Sequence, residues 1–380
     1  YEIGSGLVGS EMCIRDSTGG DMTILFLLYG VATIFITVLF FMIWRVNMKS
    51  AYEVECRAKE GKHINTIKED LEALVDKRLH WTLLTLPILG IVIFTILPLV
   101  FMICMAFTSY SKVGDHLTIF HWVGLKNFST VLGMGNSIGK TFWSVLGWTL
   151  IWAVLATFLN YILGMILAIV INRKTTRIKG FWRFCFMLSA AIPQFVSLLL
   201  MRTMLKDNGL INNLLVQAGL ISSPLPFLTN ATWARATVVI INLWVGIPFT
   251  MMQVTGILQN IPGELYEAAR VDGAGPVTIF FKITLPYMLF VTTPYLITTF
   301  TGNINNFNVI YLLTAGAPVP VGATAGKTDL LVTWLYKLTV DLQYFNVGAV
   351  VGILTFVILA VVSLITYRNT GSYKNEEGFQ

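Results

Sequence analysis

Among the residue types able to do chemistry in this chain, the histidines and cysteines form no site. His63, His80, His116 and His121, and Cys13, Cys56, Cys104 and Cys185, show no CxxC spacing and no shared cluster, so they imply neither a metal centre nor a disulfide framework. His116 and His121 stand five apart in a polar loop and read as two solvated side chains. Residues 322–328, Gly-Ala-Thr-Ala-Gly-Lys-Thr, approach the loop that cradles nucleotide phosphates, but Gly322 and Gly326 enclose three residues where that loop needs four. It also needs a buried strand before it, and nothing upstream reads as one.

The amides are more informative. "TTFTGNINNFNVIYLL" places Asn303, Asn305, Asn306 and Asn308 at the end of an apolar run. An amide in hydrocarbon costs several kcal/mol unless it has a partner. Asn303 and Asn306, three apart, are expected on one helix face, and with Asn242 and Gln194 from other apolar runs they could line one cavity. Sugar hydroxyls pair naturally with such amides, and Phe249, Trp244 and Phe307 could stack on the apolar face of a pyranose. The alternative is bonding between helices. For a single amide the two readings are equal; for the group a ligand pathway is favoured.

A third set lies in "QNIPGELYEAARVDGAGPVTIFFKITLPYML". Pro262 fits the first turn of a short helix, Glu264 and Glu267 sit where acidic groups complement the helix dipole, and Gly273 and Gly275 break it. Pro276 then starts a second short helix, expected to end before Pro286. The segment reads as a helix-turn-helix along a membrane surface, with Ala268 and Ala269 small enough for another protein to approach. A re-entrant or purely structural loop fits the same residues.

The elements that must position these residues are membrane helices. A chain 55% hydrophobic and 12% charged cannot clothe itself for water. Seven segments are long and apolar enough to span: 23–44, 81–107, 142–171, 184–201, 236–258, 287–310 and 345–367. The loops of one alternate set hold 17 Lys and Arg and those of the other 7, which puts the first set, with the C-terminus, in the cytoplasm and the N-terminus outside. The net charge of +6 thus orients helices and does not call for nucleic acid. No Asp or Glu lies inside the seven segments, which weakens a proton- or sodium-coupled carrier without removing one that uses backbone and hydroxyl ligands.

The glycine-rich residues 321–329 fall in an outer loop and read as a compact turn at the mouth of a pathway. Residues 45–80, with 8 basic and 7 acidic side chains, form either an amphipathic helix leading into the second span or a solvated linker. Residues 1–21 lack the pattern of a signal peptide and read as a non-native or disordered tail, with a further helix expected upstream in the natural protein.

Glu267-Ala268-Ala269, then Gly273, then nine residues, then Ile283-x-Leu285-Pro286 resembles the EAA loop of ABC-importer permeases, with every signature position filled. The resemblance runs over about residues 81–370 and is similar to the larger permease of maltose and maltodextrin importers, through "IINLWVGIPFTMMQVTGILQNIPGELYEAARVDGAGP", "NINNFNVIYLLTAGAP" and "TDLLVTWLYKLT". It implies an all-α membrane protein with the six-helix type I importer core and an added helix at 22–44. A linker at 45–80, a permease domain at 81–370 and a cytoplasmic tail at 371–380 complete the layout.

Within the permease domain, the loop at 259–286 would couple to a cytoplasmic ATPase through Glu267, Ala268, Ala269, Gly273, Ile283, Leu285 and Pro286. ATP and Mg would then be held by that partner, and this chain would bind no cofactor and catalyse nothing. The implied partners are a second related permease, two ATPase copies, an extracellular substrate-binding protein, an oligosaccharide and the lipid of a bacterial plasma membrane. The family's sugar-contacting positions fall on Asn242, Gly246, Phe249, Asn303 and Asn306, and further ones on Ala190, Gln194 and Gly302. At those last three the residue types depart from the family's aromatic or hydroxyl side chains, so a sugar is implied but not which one. The family's large external insertion near its third helix is absent. The implied function is that of the permease of an ATP-driven maltose or maltodextrin importer. Rival readings are an importer of another oligosaccharide or a polyol, an ion-coupled sugar carrier with no use for the Glu267 loop, and a scaffold protein.

Overall fold

The computed structural model describes residues 23–113, 116–117, 121–173 and 175–368. The tails assigned to 1–21 and 371–380 lie outside the described residues. The chain divides into two compact units, one of Tyr1–Asn127 with Tyr344–Val350 and one of Phe128–Gln343 with Val351–Gln380.

In the first unit, α1 (Thr23–Lys59) runs 37 residues, about 55 Å at 1.5 Å per residue and well beyond the ~30 Å of a hydrocarbon core. The apolar segment stops at residue 44, but the helix continues because charges beyond it pair at helical spacing, Lys49 with Glu53 at 3.8 Å and Lys59 with Glu55 at 2.8 Å. A short exposed helix, α2 (Ile67–Val75), follows. It opens with a capping box in which Thr66 Oγ1 accepts from the Glu69 N–H at 3.4 Å and the Thr66 N–H donates to Glu69 Oε2 at 2.7 Å. The Thr66 backbone bond, followed by His63, holds the Glu69 carboxyl below its ordinary pKa.

α3 (Leu79–Ala106) is the second long apolar helix. It carries Pro87 and a π-helical turn at Val92–Ile96, next to Pro98, where a missing N–H is absorbed. Beyond it, two-residue strands β1 (Lys112–Val113) and β2 (His116–Leu117) pair antiparallel. Asn127 ties this loop down, its Nδ2 donating to the Ala106 and Thr108 carbonyls at 2.8 and 2.7 Å.

The second unit is built on α4 (Ser137–Asn172) and α7 (Ala231–Asn260), which lie along each other. Their approach is close enough that a Cβ on Gly164 would stand 2.6 Å from Thr250 Cβ, the small-residue contact typical of membrane helices, which gain no hydrophobic drive from lipid. Between them come α5 (Lys179–Ala191) and α6 (Gln194–Met204), bent by 83°. This corrects the expectation of one helix over 184–201. Ile192 is extended, with ψ at 130°, because Pro193 disfavours the helical conformation before it and has no N–H to offer.

After α7 come α8 (Gly263–Val271) and α9 (residues 276–304). α9 is a second correction. The helix begun at Pro276 does not end before Pro286 but passes through a π-helical turn at Phe280–Thr284 and continues to Ile304. α10 (Phe307–Leu313), α11 (Leu331–Tyr336) and α12 (Phe345–Arg368) complete the chain. Among the described residues six helical stretches are long and apolar enough to cross a membrane, and the bent α5–α6 pair makes a seventh.

Among the described residues, two buried apolar clusters hold this unit. One gathers Trp148, Trp152, Ala156, Leu198, Val238 and Ile310; the other gathers Tyr161, Met165, Ala168, Met251, Val254 and Met288. On α4 the first cluster ends at Ala156 and the second begins at Tyr161, and the residues between them include Thr157 and Asn160.

Candidate functional site

The level between the two clusters is polar. Asn303, near the end of α9, is 9% exposed, and its Nδ2 donates to Thr157 Oγ1 of α4 at 3.0 Å. Its backbone carbonyl accepts from Trp152 Nε1 at 3.1 Å. Asn306 does not continue the same helix, as its spacing predicted: α9 stops at Ile304, Asn305 caps it, and Asn306 caps α10 by accepting from the Val309 N–H at 3.3 Å. The two amides still meet, Asn306 Nδ2 to Asn303 Oδ1 at 3.5 Å. Asn303 therefore makes the bonds of an interhelical linker, while Asn305 and Asn308 face outward.

One turn along α4 from Thr157 is Asn160, 8% exposed, whose Nδ2 donates to the Ala156 carbonyl at 2.7 Å. Its Oδ1 is buried and has no hydrogen-bond donor among the described residues. The amide lies against Gly246 of α7, where a Cβ would come within 2.6–2.7 Å of it, so glycine is the residue that leaves this amide room. Asn160 is absent from the sequence-based candidates, although the rule applied to Asn242 covers it equally: an amide at the centre of an apolar segment needs a partner. Asn242, one turn before Gly246, is 6% exposed, and its side chain makes no hydrogen bond among the described residues.

The other candidates are less buried than these amides. Phe249 is half exposed on α7, Gln194 is exposed at the start of α6, Ala190 belongs to α5, and Gly302 has open space around it. Phe307, a candidate for stacking on sugar, is stacked on Tyr311 at 4.7 Å and meets Tyr336 edge-on at 5.2 Å.

At the other end of α7, α8 projects as an exposed helix carrying Glu267, Ala268 and Ala269, with only Ala269 half-buried. Its C-terminus is closed by two bonds, Gly273 N–H to the Arg270 carbonyl at 3.0 Å and Ala274 N–H to the Ala269 carbonyl at 2.9 Å. This is the Schellman arrangement, which needs a left-handed residue, and Gly273 has φ +79°. Tyr266 Oη and Thr284 Oγ1, 3.1 Å apart, tie α8 to the π-helical turn of α9. That turn carries Ile283 and precedes Leu285, both half-buried, and the exposed Pro286. The signature positions thus form one unit, a capped helix fastened to the root of a membrane helix. Beside it runs a groove of about 1050 Å³ whose wall includes Arg173, Tyr266, Arg270, Val277 and Phe281.

The glycine-rich loop between α10 and α11 is compact. Asp329, buried, accepts from the Gly326 N–H at 2.6 Å, Thr333 Oγ1 at 2.9 Å and Lys337 Nζ at 2.6 Å. The Gly326 N–H that a phosphate would require is bonded to a carboxylate.

The fold has solved counterparts. A chain from the crystal structure of a bacterial ABC transporter involved in the import of the acidic polysaccharide alginate superposes with a TM-score of 0.62, covering 79% of this chain and 97% of that one at 23% identity. A chain from the same kind of transporter, in complex with alginate pentasaccharide-bound periplasmic protein, gives a TM-score of 0.63 at 22% identity. The sequence then places the chain more closely: residues 160–370 match the family described as the binding-protein-dependent transport system inner membrane component, and the chain belongs to that family.

Two relatives from Bacillus subtilis (strain 168) extend the match over nearly the whole chain. The galactooligosaccharides transport system permease protein GanP is 34% identical over 94% of this chain and 85% of its own. The maltodextrin transport system permease protein MdxF is 34% identical over 96% and 86%. The maltose/maltodextrin transport system permease protein MalF of Escherichia coli (strain K12) is 35% identical over 65% of this chain, which spans 49% of that relative.

Proposed function

We propose that this chain is the permease of an ATP-driven importer of maltodextrins in the bacterial cytoplasmic membrane, working with a second, related permease, two copies of an ATPase and an extracellular substrate-binding protein. The observation that carries the reading is α8: an exposed helix closed by Gly273 and fastened through Tyr266 to α9. A helix so held moves with the membrane helix it is tied to, as a lever between an ATPase and a pathway must. Glu267, Ala268, Ala269 and Gly273 present the contact, and Ile283, Leu285 and Pro286 anchor it. ATP and Mg belong to the partner, and the C-terminus lies with α8 in the cytoplasm. Closure of the ATPase pair on ATP moves α8 and opens the pathway outward, and hydrolysis resets it.

Sugar is taken at the polar level between the clusters, where Asn242 and the Oδ1 of Asn160 have no protein partner among the described residues and the Asn160 amide packs against Gly246. Phe249, Gln194 and Gly302 belong to the same pathway in its outward-open state, and Asn303 and Asn306 frame it. Maltodextrin is the cargo named for MdxF; galactooligosaccharide, the cargo named for GanP at the same identity, is the second reading.

Uptake of radiolabelled maltotriose and of a labelled galactooligosaccharide, in cells carrying the neighbouring transport genes with this chain restored or omitted, tests both. Maltotriose uptake that requires this chain and the ATPase is expected. Uptake of the galactooligosaccharide alone moves the cargo to the second reading, and uptake by this chain without the ATPase removes the importer assignment.

A further inference from the structure

The end of α4 remote from α8 carries a separate cavity of about 460 Å³. Its wall includes Lys140, Ser144 and Trp148 of α4, Arg235 of α7, and Lys327 and Asp329 of the loop before α11. α4 is 36 residues long, about 54 Å, so this cavity and the groove beside α8 lie on opposite sides of a ~30 Å hydrocarbon layer. On the proposed function, on which this inference rests, the cavity opens to the outside.

The cavity is positively charged. Lys140, Arg235 and Lys327 enter no ion pair among the described residues, and Asp329 is already engaged by Lys337. Arg235 is fixed: its guanidinium carbon sits 4.5 Å from the Trp148 ring centroid and its Nε donates to the Lys327 carbonyl at 2.9 Å. The outer loops of this chain are poor in cations, as membrane orientation demands, yet two of their seven meet here with Arg235. Beside the cavity, on the same loop that Asp329 pins, Val321 is fully exposed and Val319 half exposed. A free anion would leave these valines in water, and they stand on the loop before α11 and not on a membrane-spanning helix. Charge in a fixed pocket with apolar residues at its edge suits a protein surface.

We propose that this cavity seats an acidic side chain of the substrate-binding protein, with Lys140, Arg235 and Lys327 receiving the carboxylate and Val319 and Val321 closing the contact around it.

The test uses the whole complex, with its partner permease and ATPase, in nanodiscs. ATPase activity is titrated with the neighbouring substrate-binding protein loaded with maltotriose, at low and high salt. In the wild type, saturable stimulation that weakens with salt is expected. Lys140→Gln with Lys327→Gln should raise the apparent Kd about tenfold and flatten the salt dependence, with the maximal rate unchanged; Lys140→Glu with Lys327→Glu should raise it further. An unchanged Kd and salt dependence in the assembled Gln variant overturns the proposal, and the Gln variant alone is decisive if the Glu pair fails to assemble. A loss confined to nanodiscs containing phosphatidylglycerol assigns the cavity to a lipid headgroup and also overturns it. A wild-type complex that the binding protein does not stimulate refutes the proposed function itself, and the docking seat with it.

Discussion

At the scale of the residue, the buried amides are not equivalent. Asn303 and Asn242 look alike in sequence, but Asn303 spends its amide on Thr157 and Asn306, while Asn242 makes no hydrogen bond among the described residues. Replacing Asn303 by Leu removes an interhelical bond and leaves Thr157 without its donor, a cost of about 1–3 kcal/mol. Replacing Asn242 by Leu removes an amide that no protein group among the described residues satisfies. Asn303→Leu should therefore lower the thermal unfolding temperature of the purified complex and reduce uptake through lost protein. Asn242→Leu should leave unfolding unchanged and reduce uptake per assembled complex. The opposite pattern would exchange their roles.

At the scale of the element, α8 depends on the glycine just beyond its end. The Schellman closure puts Gly273 at φ +79°, and a Cβ there meets nothing within 4 Å, so the constraint is one of backbone conformation and not of space. Asparagine tolerates the left-handed region; a β-branched residue does not, at about 1–2 kcal/mol. Gly273→Asn should keep most of the transport per ATP hydrolysed, whereas Gly273→Val should fray α8 and release ATP hydrolysis from sugar movement. Transport and ATPase rates measured together in proteoliposomes decide it, and equal coupling in the two variants would mean that the cap plays no part. The bend at Ile192–Pro193 and the π-helical turn at Phe280–Thr284 follow the same logic, since each lies where a proline removes a helical donor.

At the scale of the whole molecule, α8, proposed to couple, and the cationic cavity lie beside opposite ends of α4, so a single topology must satisfy both. Val321, beside the cavity, and Val277, beside the α8 groove, are both exposed. With the native cysteines replaced, Val321→Cys should react with a membrane-impermeant maleimide on intact cells, and Val277→Cys should react only after the membrane is opened. A reversed pattern would turn the molecule over and remove both the coupling and the docking assignments.

What the sequence determines here is local. The seven apolar segments follow from composition over windows of about 20 residues, and they correspond to six long helices and the bent pair. The short helix at Gly263–Val271 and its glycine stop follow from end preferences that act within a turn. The capped α2 follows from Thr66 and Glu69 at the spacing of a capping box.

Tertiary structure decided the rest, because a partner's identity depends on which segments pack. The three-residue spacing of Asn303 and Asn306 promised one face of one helix, but the chain turns between them and each caps or bonds a different element. Asn160 gained its meaning only when α7 brought Gly246 against it. Asp329, in a loop rich in glycine and alanine, is buried only because Gly326, Thr333 and Lys337 close around it. Hydrophobicity places a helix in a membrane, but hydrogen bonds and close packing between distant segments decide which of its polar groups remain free for a ligand.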